Sequence, residues 1–180
     1  IGDKADAIVA IATPSAQAAA AATSSVPIVF SAVTDPVAAK LVKDLKAPGG
    51  NVTGVSDRLP LAPQVDLMLK VVPTAKRVGI VYSPGEINST ILIKELKAVL
   101  AQRGMTLVSA AAPRTVDVQA ATKSLVGKVD LIYSSTDNNV VSAYETMVRV
   151  ATDAKLPMIA ADTSSIKRGA VAALGMNYYD

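Results

Sequence analysis

Short apolar runs alternate with polar clusters along the chain, and this alternation predicts repeated strand–helix units. Five of these runs are followed directly by Ser, Thr, Asp or Asn, or reach one within two residues, and they lie at 7–11, 27–30, 77–82, 129–133 and 157–161. The carboxyl ends of parallel strands meet at one edge of a sheet, where ligands bind. The pattern therefore predicts an α/β protein with a ligand-binding edge lined by polar side chains.

Apolar residues at helical spacing follow most of these strands. We predict helices at 15–22, 37–45, 61–72, 88–102, 116–126 and 139–154, a short helix at 163–168, and further strands at 52–56, 105–110 and 170–175. The steady strand–helix period from residue 77 onward is typical of a parallel sheet with helices on both faces.

The period is interrupted near residue 56, which predicts two lobes. The first lobe is expected at 1–56, the second at 57–175, and 176–180 is expected to begin a crossover back to the first lobe. Two strand–helix units make only half of a doubly wound sheet, so we expect the first lobe to be incomplete in this chain. Hinges are predicted near 56–58 and 174–177.

The stretch 131–140 shows the strand-end pattern most clearly. Leu131, Ile132 and Tyr133 are followed by six polar residues and then by a predicted helix. The first N–H groups of a helix have no intrahelical partner and carry a positive partial charge. A polar residue at such a position is either a helix cap or a ligand contact. Five such strand ends together favour a ligand site.

Composition excludes most catalytic chemistry. The chain has no Cys and no His, which removes cysteine nucleophiles, thiolate metal sites, imidazole bases and any Ser-His-Asp triad. The sequence also has no Gly-rich phosphate loop, nucleophile elbow or cluster of metal ligands. We therefore predict that the protein is not an enzyme and that it has no cofactor.

Charge and hydropathy exclude two further classes of partner. The net charge is +3 and the basic residues are scattered, so we predict no nucleic-acid binding. Lys40, Lys43 and Lys46 share one face of a predicted helix, which is typical of a solvated surface. No apolar run reaches the ~18 residues of a membrane span. Because the first residue is Ile1, we interpret the chain as a mature product or part of one.

Four segments resemble a known family over essentially the whole chain. They are 26–37, which contains VPIVF and TDPV, then 46–56, which reads KAPGGNVTGVS, then 136–138 and 169–180. Together they resemble the ABC-transporter substrate-binding proteins of the tryptophan/tyrosine-binding type, and 46–56 is the most specific of them.

The resemblance implies a two-lobe, type I periplasmic-binding-protein fold of the ribose-binding topology. It implies that the protein captures a small solute between the lobes for an ABC importer, and that the solute is an amino acid, most often an aromatic one. The implied partner is an ABC permease in the membrane. The implied location is periplasmic or otherwise extracytoplasmic, with the leader absent from this chain.

The resemblance also implies a set of ligand-binding residues at the strand ends. In the first lobe these are Thr13, Ser15, Ala16, Asp35 and Ser56. In the second lobe they are Tyr82, Asn88, Ser89, Thr136, Asp137, Asn138 and Asp162.

Residue chemistry fits a zwitterionic solute. A carboxylate suits the N–H groups at the helix starts after Pro14 or Ser89, an ammonium group needs a carboxylate such as Asp137 or Asp162, and Tyr82 could stack on a ring.

Structural roles remain open for several of these residues. Asp162 is equally well explained as a cap, Asp35 is better explained as an Asx-turn residue, and Asn88 and Ser89 form an equally good cap. Tyr178 and Tyr179 are expected to be packing residues. The alternative function is the effector domain of a transcription regulator or sensor, which shares this fold but needs a DNA-binding head that the sequence does not show.

Overall fold

The computed structural model describes residues 4–176 and shows two compact α/β units. One contains 1–59 with 86–88, and the other contains 60–85 with 89–180. The boundary predicted at residue 56 stays a prediction. The crossover expected at 176–180 falls, apart from Met176, outside the described residues, as do the packing roles expected for Tyr178 and Tyr179.

The first unit is built on three parallel strands. Its elements are β1 (Ile8–Ile11), α1 (Thr13–Ala22), β2 (Ile28–Val33) and β3 (Val52–Ser56), with strand order β1-β2-β3. Ile28, Phe30 and Val33 of β2 are buried, and Ala16 of α1 is fully buried beside them, because small side chains let a helix lie close to a sheet. Alternate residues of the strands point the other way, and Val9 and Val55 are exposed.

The predicted helix at 37–45 does not form. Asp35 starts a turn in which the Ala39 N–H donates to the Asp35 carbonyl oxygen at 2.9 Å. Lys40 then adopts φ 59°, a left-handed conformation that ends a helix. This reversal places Leu41 and Val42 in the core, and their burial outweighs helix propensity. Lys40, Lys43 and Lys46 are exposed but do not share a helix face.

The second unit carries a five-stranded parallel sheet of order β5-β4-β6-β7-β8. The strands are β4 (Arg77–Tyr82), β5 (Thr106–Ala111), β6 (Leu131–Ser134), β7 (Met158–Asp162) and β8 (Ala172–Met176). The helices are α2 (Leu61–Val71), α3 (Ile87–Gln102), α4 (Val118–Leu125), α5 (Asn138–Ser142) and α6 (Tyr144–Asp153), with 3₁₀ turns at Thr115–Asp117 and Thr163–Ile166. The first two residues of α3 fall in the first unit. The predicted α/β class with parallel sheets flanked by helices is confirmed.

The predicted helix at 139–154 is two helices. Ala143, with φ −115° and ψ 26°, interrupts the helical path. The change of direction seats Tyr144 and Met147 in the core with no exposed surface. The guanidinium of Arg168 lies 4.7 Å from the centre of the Tyr144 ring and donates two hydrogen bonds to Glu145. The ring is therefore fixed by packing on one side and by a cation–π contact on the other.

Asp130 joins the amino ends of β4 and β6. Its Oδ2 accepts hydrogen bonds from the backbone N–H groups of Lys76 and Arg77, both at 2.8 Å, and its Oδ1 accepts from Arg77 Nη2 at 2.8 Å. The Arg77 side chain, followed by the Lys76 backbone N–H, lowers the pKa of Asp130 from 3.8 to about 2. The carboxylate form therefore stabilises the fold.

Asp130→Asn is expected to lower the free energy of unfolding at pH 7 by about 1 kcal/mol, less than the pKa shift alone implies because solvent screens a partly exposed pair. Because folding lowers the pKa of Asp130, its carboxylate stabilises the fold fully at pH values above the pKa of the unfolded state, near 4. This stabilisation is lost as the pH falls toward 2, the pKa in the folded state. Urea unfolding of both proteins at pH 7 and near pH 2 measures this. The surface variant Asp66→Asn, which loses one ion pair to Arg103, is the control. An equal loss for Asp130→Asn at both pH values would contradict the assignment.

Candidate functional site

The second sheet has a switch point between β4 and β6. In the order β5-β4-β6-β7-β8, β5 lies on one side of β4 and β6 on the other. This is the doubly wound order in which ligands bind outside the carboxyl ends of the two strands at the switch. β4 is followed there by Ser83, and β6 is followed by Ser135, Thr136 and Asp137.

Asp137 is the centre of a buried hydrogen-bond network at this edge. It has no exposed surface. Its Oδ2 accepts from the backbone N–H of Ser83 at 2.7 Å and from Ser89 Oγ at 2.6 Å. Its Oδ1 accepts from Ser83 Oγ at 2.8 Å and from the backbone N–H of Val140 at 3.0 Å. One carboxylate thus joins the end of β4, the first turn of α3 and the start of α5.

The sequence predicted Asp137 as a ligand contact, and helix capping was the general alternative for such positions. The bond from Val140 is an N-cap to α5, but the other three bonds come from distant parts of the chain. Sequence reasoning did not select Ser83, although it is the first polar residue after the apolar strand β4 and that position was the available signal. Because four donors occupy its oxygens, Asp137 holds these segments together, and its contact with a ligand stays a prediction.

Two buried hydroxyl groups lie next to this network without partners. Ser134 ends β6 and Ser135 follows it, and they are 2% and 3% exposed. Within residues 4–176 neither Oγ has a hydrogen-bond partner. A buried hydroxyl without a partner costs free energy that a bound water or ligand would recover. Sequence reasoning did not select these two serines as ligand contacts, although their position at the end of an apolar strand was the available signal.

The remaining predicted residues of β4, α3 and α5 differ in environment. Asn88 is buried and donates through Nδ2 to Glu86 Oε2 at 3.0 Å. Ser89 is buried and donates to Asp137. Tyr82, Thr136 and Asn138 are half-buried.

Asp162 ends β7 and caps the 3₁₀ turn that follows. Its carboxylate accepts from the Ser165 N–H at 3.0 Å and from the hydroxyl groups of Ser164 and Ser165. The cap role that the sequence left open is therefore present. Asp162 is half-buried, whereas Asp137 is fully enclosed, so Asp162 has the more accessible carboxylate.

In the first unit, three predicted residues lie at the start of α1. Thr13 and Ala16 are buried and Ser15 is exposed. The N-cap position is Ala12, with φ 71°, and no side chain caps the helix. The first N–H groups of α1 therefore lack the side-chain oxygen that commonly caps the start of a helix. Such free N–H groups suit an anion.

Asp35 and Ser56 already have hydrogen-bond partners within the first unit. Asp35 accepts from the Ala38 N–H at 2.9 Å and from Arg58 Nη1 at 2.9 Å. Ser56 donates its hydroxyl hydrogen to the Thr34 carbonyl oxygen at 3.0 Å. The turn role preferred for Asp35 accounts for the first of these bonds.

The part of the chain that the structure describes shows neither a metal site nor a membrane-spanning helix. Residues 4–176 contain no group of three or more His, Cys, Asp or Glu residues that could hold a metal ion. The helices in the same range are also too short or too polar to cross a membrane.

Known proteins match the chain over its whole length. The family model for the ABC transporter substrate binding protein matches residues 1–180. A tyrosine-binding protein from Clostridioides difficile (strain R20291) is 42% identical over 99% of this chain and 52% of that protein. The chain thus spans about half the length of this curated relative.

Solved structures agree with this match. A conserved domain protein from Vibrio cholerae is 49% identical with a TM-score of 0.96, over 99% of this chain and 60% of that one. An ABC domain from Streptococcus pneumonia in complex with L-Trp is 38% identical with a TM-score of 0.94, over 98% of this chain and 60% of that one.

More distant binding proteins, below 25% identity, share the fold alone. The predicted type I periplasmic-binding-protein fold is therefore confirmed. The family binds solutes and does not catalyse reactions, in agreement with the prediction from composition. The chain belongs to the ABC transporter substrate-binding protein family.

Proposed function

We propose that the protein captures an amino acid for an ABC importer and that it prefers an aromatic one. The observation that carries the proposal is the likeness to the ABC domain that was solved with L-Trp, which extends over 98% of this chain at 38% identity. The tyrosine-binding relative supports the same solute class.

The second unit offers groups of the right chemistry at the carboxyl edge of its sheet. The hydroxyls of Ser134 and Ser135 can donate to or accept from a polar solute. Asp162 is the proposed carboxylate for an ammonium group, because the oxygens of Asp137 already accept four bonds. Tyr82, half-buried at the end of β4, is the proposed stacking partner for a ring. Thr136 and Asn138 remain proposed contacts.

The first unit offers a complementary chemistry. The start of α1, formed by Thr13, Ser15 and Ala16, has no side-chain cap and is a proposed site for a carboxylate. Asp35 and Ser56 remain proposed contacts on the grounds of the family resemblance, although both already have hydrogen-bond partners within the first unit.

Location and partner follow from the proposed role in import. We propose an extracytoplasmic location, which is typical of the family, and an ABC permease in the membrane as the partner. Crosslinking of the protein to a co-expressed permease in membranes, with and without solute, tests the partner.

Isothermal titration calorimetry of the protein with L-tryptophan, L-tyrosine, L-leucine, ribose and a dipeptide tests the solute class. We expect the aromatic amino acids to bind most tightly, since the buried polar groups at the sheet edge gain partners and a ring gains apolar contact. Tight binding of ribose with no response to any amino acid would overturn the proposal.

A further inference from the structure

Asn88 holds an unpaired acceptor in the first turn of α3. The residue is 5% exposed. Its Nδ2 donates to Glu86 Oε2 at 3.0 Å, whereas its Oδ1 has no hydrogen-bond partner among the described residues. The carboxamide thus has a partner on its donor side and, within residues 4–176, none on its acceptor side.

The neighbouring carboxylate determines the orientation of this amide. A carboxylate oxygen only accepts hydrogen bonds, so the nitrogen of Asn88 must face Glu86 and the oxygen must point away. The reversed amide would bring two oxygen atoms together at hydrogen-bond distance. Glu86 is itself 8% exposed, so solvent does not relieve that repulsion.

The donor-side bond also changes the strength of the acceptor. Hydrogen bonds that share a polarisable group reinforce one another, so the bond to Glu86 raises the electron density on Oδ1. A ligand carboxylate at this position would meet an oxygen atom backed by a second carboxylate. A ligand ammonium group would meet a strong acceptor on a side chain that is 5% exposed.

We propose that Asn88 binds the ammonium group of the solute through Oδ1. This inference rests on the proposed function, since it assumes an amino-acid solute. The sequence left Asn88 open between a helix cap and donation to the solute carboxylate, and this inference gives it a different role, acceptance from the ammonium group. The Glu86–Asn88 pair then selects solutes that carry a positively charged amino group.

Three ligands distinguish the contribution of the solute's amino group from that of its carboxylate. They are L-tryptophan, tryptamine, which has no carboxylate, and indole-3-propionate, which has no amino group. Calorimetric titration of the wild type and of Asn88→Ala gives the affinity for each. Gln102→Ala, which removes an exposed amide at the other end of α3, is the control, and thermal unfolding confirms that each variant is folded.

Asn88→Ala is expected to lower the affinity for L-tryptophan and for tryptamine by about ten-fold or more, as for a lost hydrogen bond to a charged group. The affinity for indole-3-propionate should change less than about two-fold, because that ligand has no ammonium group. Gln102→Ala should change none of the three affinities.

Other results would overturn the inference in distinguishable ways. If Asn88→Ala bound indole-3-propionate more weakly and tryptamine with unchanged affinity, Asn88 would be assigned to the carboxylate of the solute. Unchanged L-tryptophan binding in a folded Asn88→Ala protein would remove Asn88 from the site and leave the proposed function intact. A wild type that binds ribose and no amino acid would overturn the proposed function together with this inference.

Discussion

Asp137→Asn is expected to lower the free energy of unfolding by about 3 kcal/mol or more, although the two side chains have the same shape. Each carboxylate oxygen faces one backbone N–H, that of Ser83 on Oδ2 and that of Val140 on Oδ1. In asparagine one of the two atoms becomes an NH₂ group. Either orientation of the amide therefore sets a donor against a donor in a site that water does not reach.

Asp162→Asn is the matched control for this prediction. Asp162 also caps a turn, but only its Oδ1 faces a backbone N–H, and its Oδ2 faces the Ser165 hydroxyl. A hydroxyl can rotate to accept from an amide, so the expected loss is about 1 kcal/mol or less. Guanidinium unfolding of both variants gives the comparison. Equal losses in the two proteins would show that the four-donor geometry at Asp137 does not govern stability.

Gly175→Ala is expected to lower the free energy of unfolding by about 3 kcal/mol, because the new methyl group would overlap with main-chain atoms. A Cβ at this position would lie 1.8 Å from the Ala161 carbonyl oxygen and 2.9 Å from the Asp162 Cα. The contact arises where β8 carries one residue more than β7, since Ala160 pairs with Ala173 and Asp162 pairs with Met176. Such a bulge brings two backbones close together.

Gly85→Ala is the control, because a Cβ there meets no atom within 4 Å. Its stability should stay equal or rise slightly, since alanine restricts the unfolded chain. Thermal unfolding followed by far-UV circular dichroism measures both variants. A Gly175→Ala protein as stable as Gly85→Ala would mean that β8 can move away from β7 without loss.

The fold was predictable because the strands of a parallel sheet are buried and read as apolar runs. The runs at 77–82 and 157–161 match β4 and β7 to within one residue. The helix predicted at 37–45 failed because tertiary burial of Leu41 and Val42 overrides local propensity, and nothing in the sequence marks Lys40 for a left-handed conformation. The interruption at Ala143 was missed for a similar reason, since alanine is a strong helix former.

The sequence predicted which residues lie at the candidate site better than it predicted the hydrogen bonds that they make. Asp137 and Asp162 follow apolar strands, so their places at the sheet edge could be predicted. The bonds from Ser83 and Ser89 to Asp137 could not, because they join residues about fifty positions apart that only the sheet order brings together. The direction of the Asn88 amide depends on Glu86, two residues earlier, and sequence spacing alone does not orient an amide.

The distribution of tyrosines divides the molecule spectroscopically. The chain has no tryptophan, and residues 1–59 and 86–88, which form the first unit, contain no tyrosine. Near-ultraviolet absorption and intrinsic fluorescence therefore report on the second unit, where Tyr133 and Tyr144 are fully buried. The first unit is almost silent at these wavelengths, and an indole solute added to the protein would be the sole indole chromophore in the sample.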